Sequence, residues 1–271
     1  MTLDRSEPLR LMAVLAHPDD ETLGVGGTMA TYAAEGIETY VVTATRGERG
    51  RYFRNEDRPS DTEVGRVREA ELRAAARELG VSNVEFLDYV DGELDEAEAR
   101  EATSRIVAQI RRLRPQVVIT FDPFGAYGHS DHVAISQLTT AAVFAAADPS
   151  HPAEAPPHRV SKLYYFVTTE RRWTPYEVAF KRLTSTVDGA ERGALSWPEW
   201  AVSAEIDTRR QWATVWRAVR RHESQIAQYE RLRELSPEQH EILWGSGTYY
   251  RVFSTVNGGR TRESDLFAGL R

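Results

Sequence analysis

Short apolar runs alternate with longer amphipathic stretches along the first two thirds of the chain. Residues 11–16 are continuously apolar and end in a polar cluster, the pattern of a strand buried on both faces. Residues 22–35 carry a helical pattern, and 38–45 (ETYVVTAT) predict a second strand. Apolar positions at helical spacing over 61–79 end at Gly80, a natural C-terminal cap. A short third strand is expected over 84–87, a helix over 95–113 stopped by Pro115, and a fourth buried strand over 117–121. A helix over 131–147, a loop rich in Pro and His, and a fifth strand over 162–168 complete the series. Such alternation predicts a parallel sheet with helices on both faces, because right-handed crossovers lay each helix against the sheet. The expected fold class is α/β: a Rossmann-like, doubly wound, mostly parallel sheet with a C-terminal extension packing on the core. A single domain is expected, its core at about residues 8–170 and its cap at about 171–271.

Beyond residue 170 the pattern changes. Trp197, Trp200, Trp212, Trp216 and Trp244 crowd the last third, with a helix expected from Thr208 to about Leu232. Aromatics dominate buried area, so these read first as a packing layer, and otherwise as the lining of a cleft or a subunit contact.

Composition narrows the chemistry. At 271 residues and 41% apolar side chains the chain can bury a substantial core. A formal charge of -7, with no basic tract, argues against a nucleic acid partner. The absence of cysteine excludes disulfides, a thiolate nucleophile and any sulfur-based zinc site, so a metal here must be held by nitrogen and oxygen. The polar N-terminal segment and the lack of a long apolar run predict a soluble cytoplasmic protein with no membrane partner.

In open α/β sheets ligands bind beyond the carboxyl ends of the strands where strand order reverses, and in a 3-2-1-4-5 order the first and fourth strands are neighbours there. The loops after those two strands hold three of the seven histidines: Ala16-His17-Pro18-Asp19-Asp20-Glu21, and Tyr127-Gly128-His129-Ser130-Asp131-His132. Two imidazoles and one carboxylate, with a position left for water, form a recurrent hydrolytic zinc set. His17 and Asp20, three apart on a strand-to-helix turn, can face one point, leaving Asp19 beside them as a general base. His129 and His132 are also three apart; one can ligate while the other faces substrate. Taken singly, Asp19, Asp20 and Asp131 are explained as helix N-caps. Their convergence on one sheet edge is what points to a metal centre.

With these motifs the chain resembles the PIG-L, or LmbE-like, family of zinc-dependent N-acetylglucosaminyl deacetylases. Its first motif, AHPDDE, is complete at 16–21, and its second, usually GHPDH, stands as GHSDH at 128–132, with Ser130 in place of proline. TRGERG at 45–50, Arg68 with Glu71, Tyr89 to Gly92, and DLFAGL at 265–270 extend the likeness over nearly the whole chain. The resemblance implies His17, Asp20 and His132 as zinc ligands and Asp19 as the base. It implies that His129 stabilises the tetrahedral intermediate or protonates the leaving amine, that Tyr127 donates to the oxyanion, and that Asp131 holds an imidazole in place. Glu48, Arg68 and Asp91 fall where the family binds sugar hydroxyls. The implied reaction is hydrolysis of an acetamide on an N-acetylated sugar, and the family further implies a homo-oligomer.

Fe2+ or another divalent ion fits the same donors. The main alternative within the hydrolases is an amidase acting on a thiol-conjugated sugar amide or another acylated amine. From another class, Gly24-Val25-Gly26-Gly27 suggests a dinucleotide-binding oxidoreductase, but a GxGxxG turn should follow the first strand directly, and AHPDDE occupies that place. A non-catalytic metal-binding protein would lack the base, which Asp19 supplies. The loop after the second strand, with Arg46, Arg49, Arg51 and Arg54, is long and basic, as a lid over an anionic sugar would be.

Overall fold

The computed structural model describes residues 8–53, 58–171, 184–187, 189–225, 230–259 and 261–271, which leaves Arg54 outside the described residues. In chain order the strands are β1 (Arg10–Leu15), β2 (Glu38–Thr45), β3 (Asn83–Tyr89), β4 (Val117–Phe121), β5 (Lys162–Phe166), β6 (Thr184–Val187), β7 (Ala190–Gly193), β8 (Ala204–Asp207) and β9 (Ser246–Ser254). Seven form one sheet in the order β3-β2-β1-β4-β5-β9-β8, while β6 and β7 make a separate hairpin. The first five strands are parallel to one another, and β9 and β8 extend the sheet antiparallel. Strand order therefore reverses at β1, and β4 lies directly beside it.

The continuous apolar runs are the strands covered on both faces. Leu11 to Leu15 and Val117 to Ile119 have no exposed surface, each buried aliphatic side chain contributing about 1.5–3 kcal/mol. The helices are α1 (Asp20–Leu23), α2 (Gly26–Ala34), α3 (Asp61–Leu79), α4 (Ala99–Leu113), a distorted turn α5 (Gly125–Gly128), α6 (Ser130–Ala145), α7 (Trp212–Val219) and α8 (Pro237–Trp244). One group packs α2 and α3 against α7, and another packs α4 against α6. Helix α3 matches its expected span, with Ser60 accepting from the Glu63 N–H at one end and Gly80 at φ 74° closing the other.

Three helical expectations change. The stretch 22–35 divides at Val25, whose φ of -128° and ψ of 6° leave helical geometry between α1 and α2. The stretch 95–113 opens with a 3-10 turn at Leu94–Glu96, and α4 proper starts after Glu98, whose carboxylate caps the N–H groups of Arg100 and Glu101. Among the described residues of the expected helix from Thr208 to about Leu232, only Trp212–Val219 is α-helical, after a 3-10 turn at Arg209–Gln211, and residues 226–229 lie outside the described residues.

The last third also supplies strands: β9 pairs with β5 and carries β8 on its far side. Fully buried Lys162 of β5 meets Glu263 at 2.7 Å, and the Tyr164 hydroxyl donates to the same carboxylate, tying the C-terminal segment to the sheet. The tryptophans divide by environment. Trp244 is buried, Trp212 and Trp216 stack on the His240 ring at 5.6 and 4.8 Å, and Trp200 is 86% exposed. No helix among the described residues is long and apolar enough to cross a membrane.

Candidate metal centre

The turn after β1 closes on its own side chains. Asp20 Oδ2 accepts the backbone N–H groups of Ala16 and His17 at 3.2 and 2.8 Å, and Glu21 Oε2 accepts that of Asp19 at 2.9 Å. Asp19 stands at φ 107°, a left-handed conformation that costs a non-glycine residue on the order of 1–3 kcal/mol and persists only where neighbours enforce it. Its carboxylate meets buried Arg68 at 3.2 Å. Arg68 also donates to the carbonyls of Pro18 and Gly47. The glycines of TRGERG leave room for this guanidinium: a Cβ on Gly47 or Gly50 would stand 2.1 or 2.4 Å from Arg68 Nη1.

Across the sheet edge, His129 caps α6, its Nδ1 accepting from the Asp131 N–H at 3.2 Å. A neutral His129 therefore carries its proton on Nε2. Asp131 is wholly buried. Its carboxylate accepts N–H groups from Gly92 and Leu94, beyond β3, at 2.7 and 3.1 Å, and His17 Nε2–H donates to it at 2.9 Å. Asp91 also faces His17 Nε2, at 3.1 Å. His132 Nδ1–H donates to the Gly125 carbonyl at 3.3 Å, and its ring stacks on Phe121 at 4.0 Å.

With their outer nitrogens occupied in this way, His17 Nδ1 and His132 Nε2 face each other at 3.1 Å. Asp20 completes a triangle, one oxygen 3.9 Å from His17 Nδ1 and the other 3.6 Å from His132 Nε2. Donors about 2.0–2.2 Å from a tetrahedral zinc lie roughly 3.3–3.5 Å apart; because the two Asp20 distances belong to different oxygens, its carboxylate must turn to bring one oxygen to an ion between the two nitrogens. Nitrogens of His17, His129 and His132 also lie within 4.8 Å of one another, as do ligand atoms of His17, Asp91 and Asp131. We favour the set with Asp20, because His129 Nδ1 is engaged as a cap and Asp91 and Asp131 are held by backbone N–H groups as partners of His17 Nε2.

Electrostatics separates the three imidazoles. Burial disfavours charge on His17, but Asp131 and Asp91 outweigh it and raise His17 to about 10. Burial, reinforced by the charge on His17, pushes His129 down and His132 well below the ordinary histidine range. Burial lifts Asp20 to about 7 against the pull of His17. One proton thus resides on His17, where it relieves the facing nitrogen lone pairs, and a divalent cation between them would do the same.

The expected residues from the two motifs converge, with the Tyr127 ring 5.1 Å from that of His132. The expected sugar contacts divide. Arg68 donates to the turn while its Nε has no hydrogen-bond partner among the described residues, and Asp91 faces His17. Glu48 Oε1 accepts the Asp91 N–H, while Glu48 Oε2 is buried with no hydrogen-bond partner among the described residues. The glycines of 24–27 are spent on packing. A Cβ on Gly24 would meet the Asp20 carbonyl at 2.8 Å, and one on Gly27 would meet Thr208 at 2.8 Å.

Residues 12–143 match the PIG-L family, described as GlcNAc-PI de-N-acetylase. The chain is 38% identical, over 292 residues, to the 1D-myo-inositol 2-acetamido-2-deoxy-alpha-D-glucopyranoside deacetylase of Streptomyces griseus subsp. griseus, an alignment covering 96% of this chain and 89% of that protein. The chain belongs to the PIG-L family. Solved structures share the fold at lower identity. N,N'-diacetylchitobiose deacetylase from Pyrococcus horikoshii superposes with a TM-score of 0.67 at 21% identity, covering 90% of this chain and 83% of that one. The 4-carboxy-2-hydroxymuconate hydratase from Pseudomonas putida KT2440 gives the same TM-score at 20% identity, covering 93% and 99%. A deacetylase and a hydratase on one scaffold show that the fold alone does not select the reaction.

Two buried pairs near this PIG-L centre have no counterpart among the residues expected from sequence. His222 Nε2–H donates to Glu21 Oε1 at 2.7 Å, and Glu71 accepts from Ser224 through both backbone N–H and hydroxyl at 2.7 Å. Glu21 is the one AHPDDE acid without an assigned task, and H-E-S-Q at 222–225 is a polar run after an aromatic helix. Those were the available signals, but nothing in the order of residues pairs positions so far apart.

Proposed function

We propose that this PIG-L protein hydrolyses the acetamide of an N-acetylglucosaminyl-inositol type conjugate, with zinc held by His17, Asp20 and His132. The carrying observation is the donor triangle itself, with each outer imidazole nitrogen tied to a carboxylate or a carbonyl and the inner ones facing Asp20. The full-length likeness to a deacetylase of such a conjugate supports the substrate class. The reaction breaks the acyl C–N bond and forms a C–O bond to a water oxygen, giving acetate and a free amine.

A bound zinc ion supplies Lewis acidity, lowering the pKa of water from 15.7 to about 7 and polarising a carbonyl. Asp19 takes the proton of the attacking water, its carboxylate directed by Arg68. Oxyanion charge is met by His129 Nε2–H and by the Tyr127 hydroxyl. The proton held by Asp19 then passes to the departing nitrogen, so the base returns to its starting form. Asp131 and Asp91 fix the His17 ring and its tautomer through Nε2. Glu48 Oε2 is left to accept from a sugar hydroxyl.

The test is a screen of the zinc-loaded and chelator-stripped protein for acetate and amine release from N-acetylglucosaminyl-inositol and other N-acetylated sugars. Equal amounts of acetate and amine, released by the loaded protein only, are expected. No release from any acetamide by fully loaded protein would refute the reading.

A further inference from the structure

His222 and Glu21 have no exposed surface, and the carboxylate between His222 and the turn after β1 is divided between two donors. Oε1 receives His222 Nε2–H at 2.7 Å, and Oε2 receives the Asp19 N–H at 2.9 Å. That N–H belongs to the residue at φ 107°, whose side chain meets Arg68. The residues after His222 turn inward with it. Ser224 donates twice to Glu71, and Gln225 Nε2–H donates to the Arg51 carbonyl at 2.6 Å. The Ser224 carbonyl accepts the Phe53 N–H at 2.7 Å. The segment after α7 thus enters the molecule as a run of buried polar contacts, and His222 is its contact with the AHPDDE turn.

A packing role alone would suit an apolar side chain at a position buried this fully. A carboxylate at Glu21 with no donor opposite it would instead be free to rotate away from Asp19. We propose that His222 is a positioning residue for the hydrolysis: it fixes Glu21, which holds the Asp19 backbone in the left-handed conformation from which the Asp19 carboxylate meets Arg68 beside the metal donors. This rests on the reading of Asp19 as the base. Among the described residues His222 makes no hydrogen bond to His17, Asp20 or His132, so its contribution should appear in turnover and leave substrate affinity and metal content as they are.

The experiment compares zinc-loaded parent, His222→Gln, His222→Asn and His222→Leu proteins for amine release from N-acetylglucosaminyl-inositol, with zinc content and melting temperature measured on the same samples. A glutamine amide nitrogen can take the place of imidazole Nε2, an asparagine nitrogen falls short of Glu21, and leucine offers no donor. The expected result is a loss of about 10–100-fold in kcat for the asparagine and leucine proteins, at parental KM and zinc content, with most of it restored by glutamine. Parental kcat in the asparagine or leucine protein overturns the proposal, and so does a glutamine protein as impaired as leucine. If the leucine protein does not fold, the glutamine and asparagine pair decides. Failure of the underlying reading looks different in the same assay: the parent releases no amine, or Asp19→Asn matches it.

Discussion

The turn after β1 and the loop after β4 deliver imidazoles to one spot, but they are held by different means. In the first, Asp20 accepts the N–H groups of Ala16 and His17, and Glu21 accepts that of Asp19, so the proposed ligand, the proposed base and their scaffold lie within six residues. The second leans on distant neighbours. Asp131 is held by N–H groups beyond β3, the Ala126 carbonyl accepts from Leu195, and Asp122, at the root of the loop, accepts from Trp197 Nε1 at 2.6 Å. The β1 turn should therefore fail as a unit when one side chain is removed, whereas the β4 loop should fail by parts.

The largest expected effect follows from that contrast. Asp20→Ala removes the proposed metal donor together with the oxygen that accepts two backbone N–H groups, and it should abolish both zinc binding and turnover. His132→Ala should remove zinc and turnover as well but leave the β1 turn formed. Elemental analysis with amide exchange at Ala16 and His17 would separate the two, and equal protection of those amides would break the comparison.

Next is His129→Ala, which removes the proposed oxyanion donor from a loop that keeps its other ties. Turnover should fall about 10²–10³-fold with zinc retained, as losing one such donor does elsewhere. Steady-state kinetics checks this, and loss of zinc in the same protein would make His129 a ligand. Asp131→Asn should act mainly on the metal through His17, weakening zinc affinity about 10–100-fold in a competition titration with a chelator.

The smallest effect concerns pH. A histidine raised to about 10 in the folded state contributes stability that is complete below its ordinary 6.5 and is lost as pH rises toward 10. The stripped protein should therefore melt at progressively lower temperature between pH 6.5 and 10. The zinc-loaded protein, with His17 unprotonated at Nδ1, should lack that slope. Melting curves of both forms across the range provide the check.

The same contrast explains what could be read from the sequence. Strands buried on both faces announce themselves as unbroken apolar runs, and the alternation 11–16, 38–45, 117–121 carried the parallel sheet and the adjacency of β1 and β4. Residues three apart on one turn, His17 with Asp20 and His129 with His132, are local facts, so the convergence was legible too. Strand β8 has four residues and gains its place by pairing with β9 and bridging to Glu263, which no local pattern declares. Likewise, only the fold shows that the Asp91 carboxylate reaches His17 and that Arg68 lies in the space left by Gly47 and Gly50. The Glu21–His222 contact joins two polar residues 201 positions apart, and only the folded chain brings them together.

The central claim is that metal binding and proton transfer are assigned to adjacent carboxylates, Asp20 and Asp19. Zinc content and turnover measured on one preparation of Asp19→Asn test it most directly. Zinc at the parental level with turnover reduced about 10²–10⁴-fold, the range a lost general base produces, is expected. Full turnover, or a loss of activity that merely follows a loss of zinc, would contradict it.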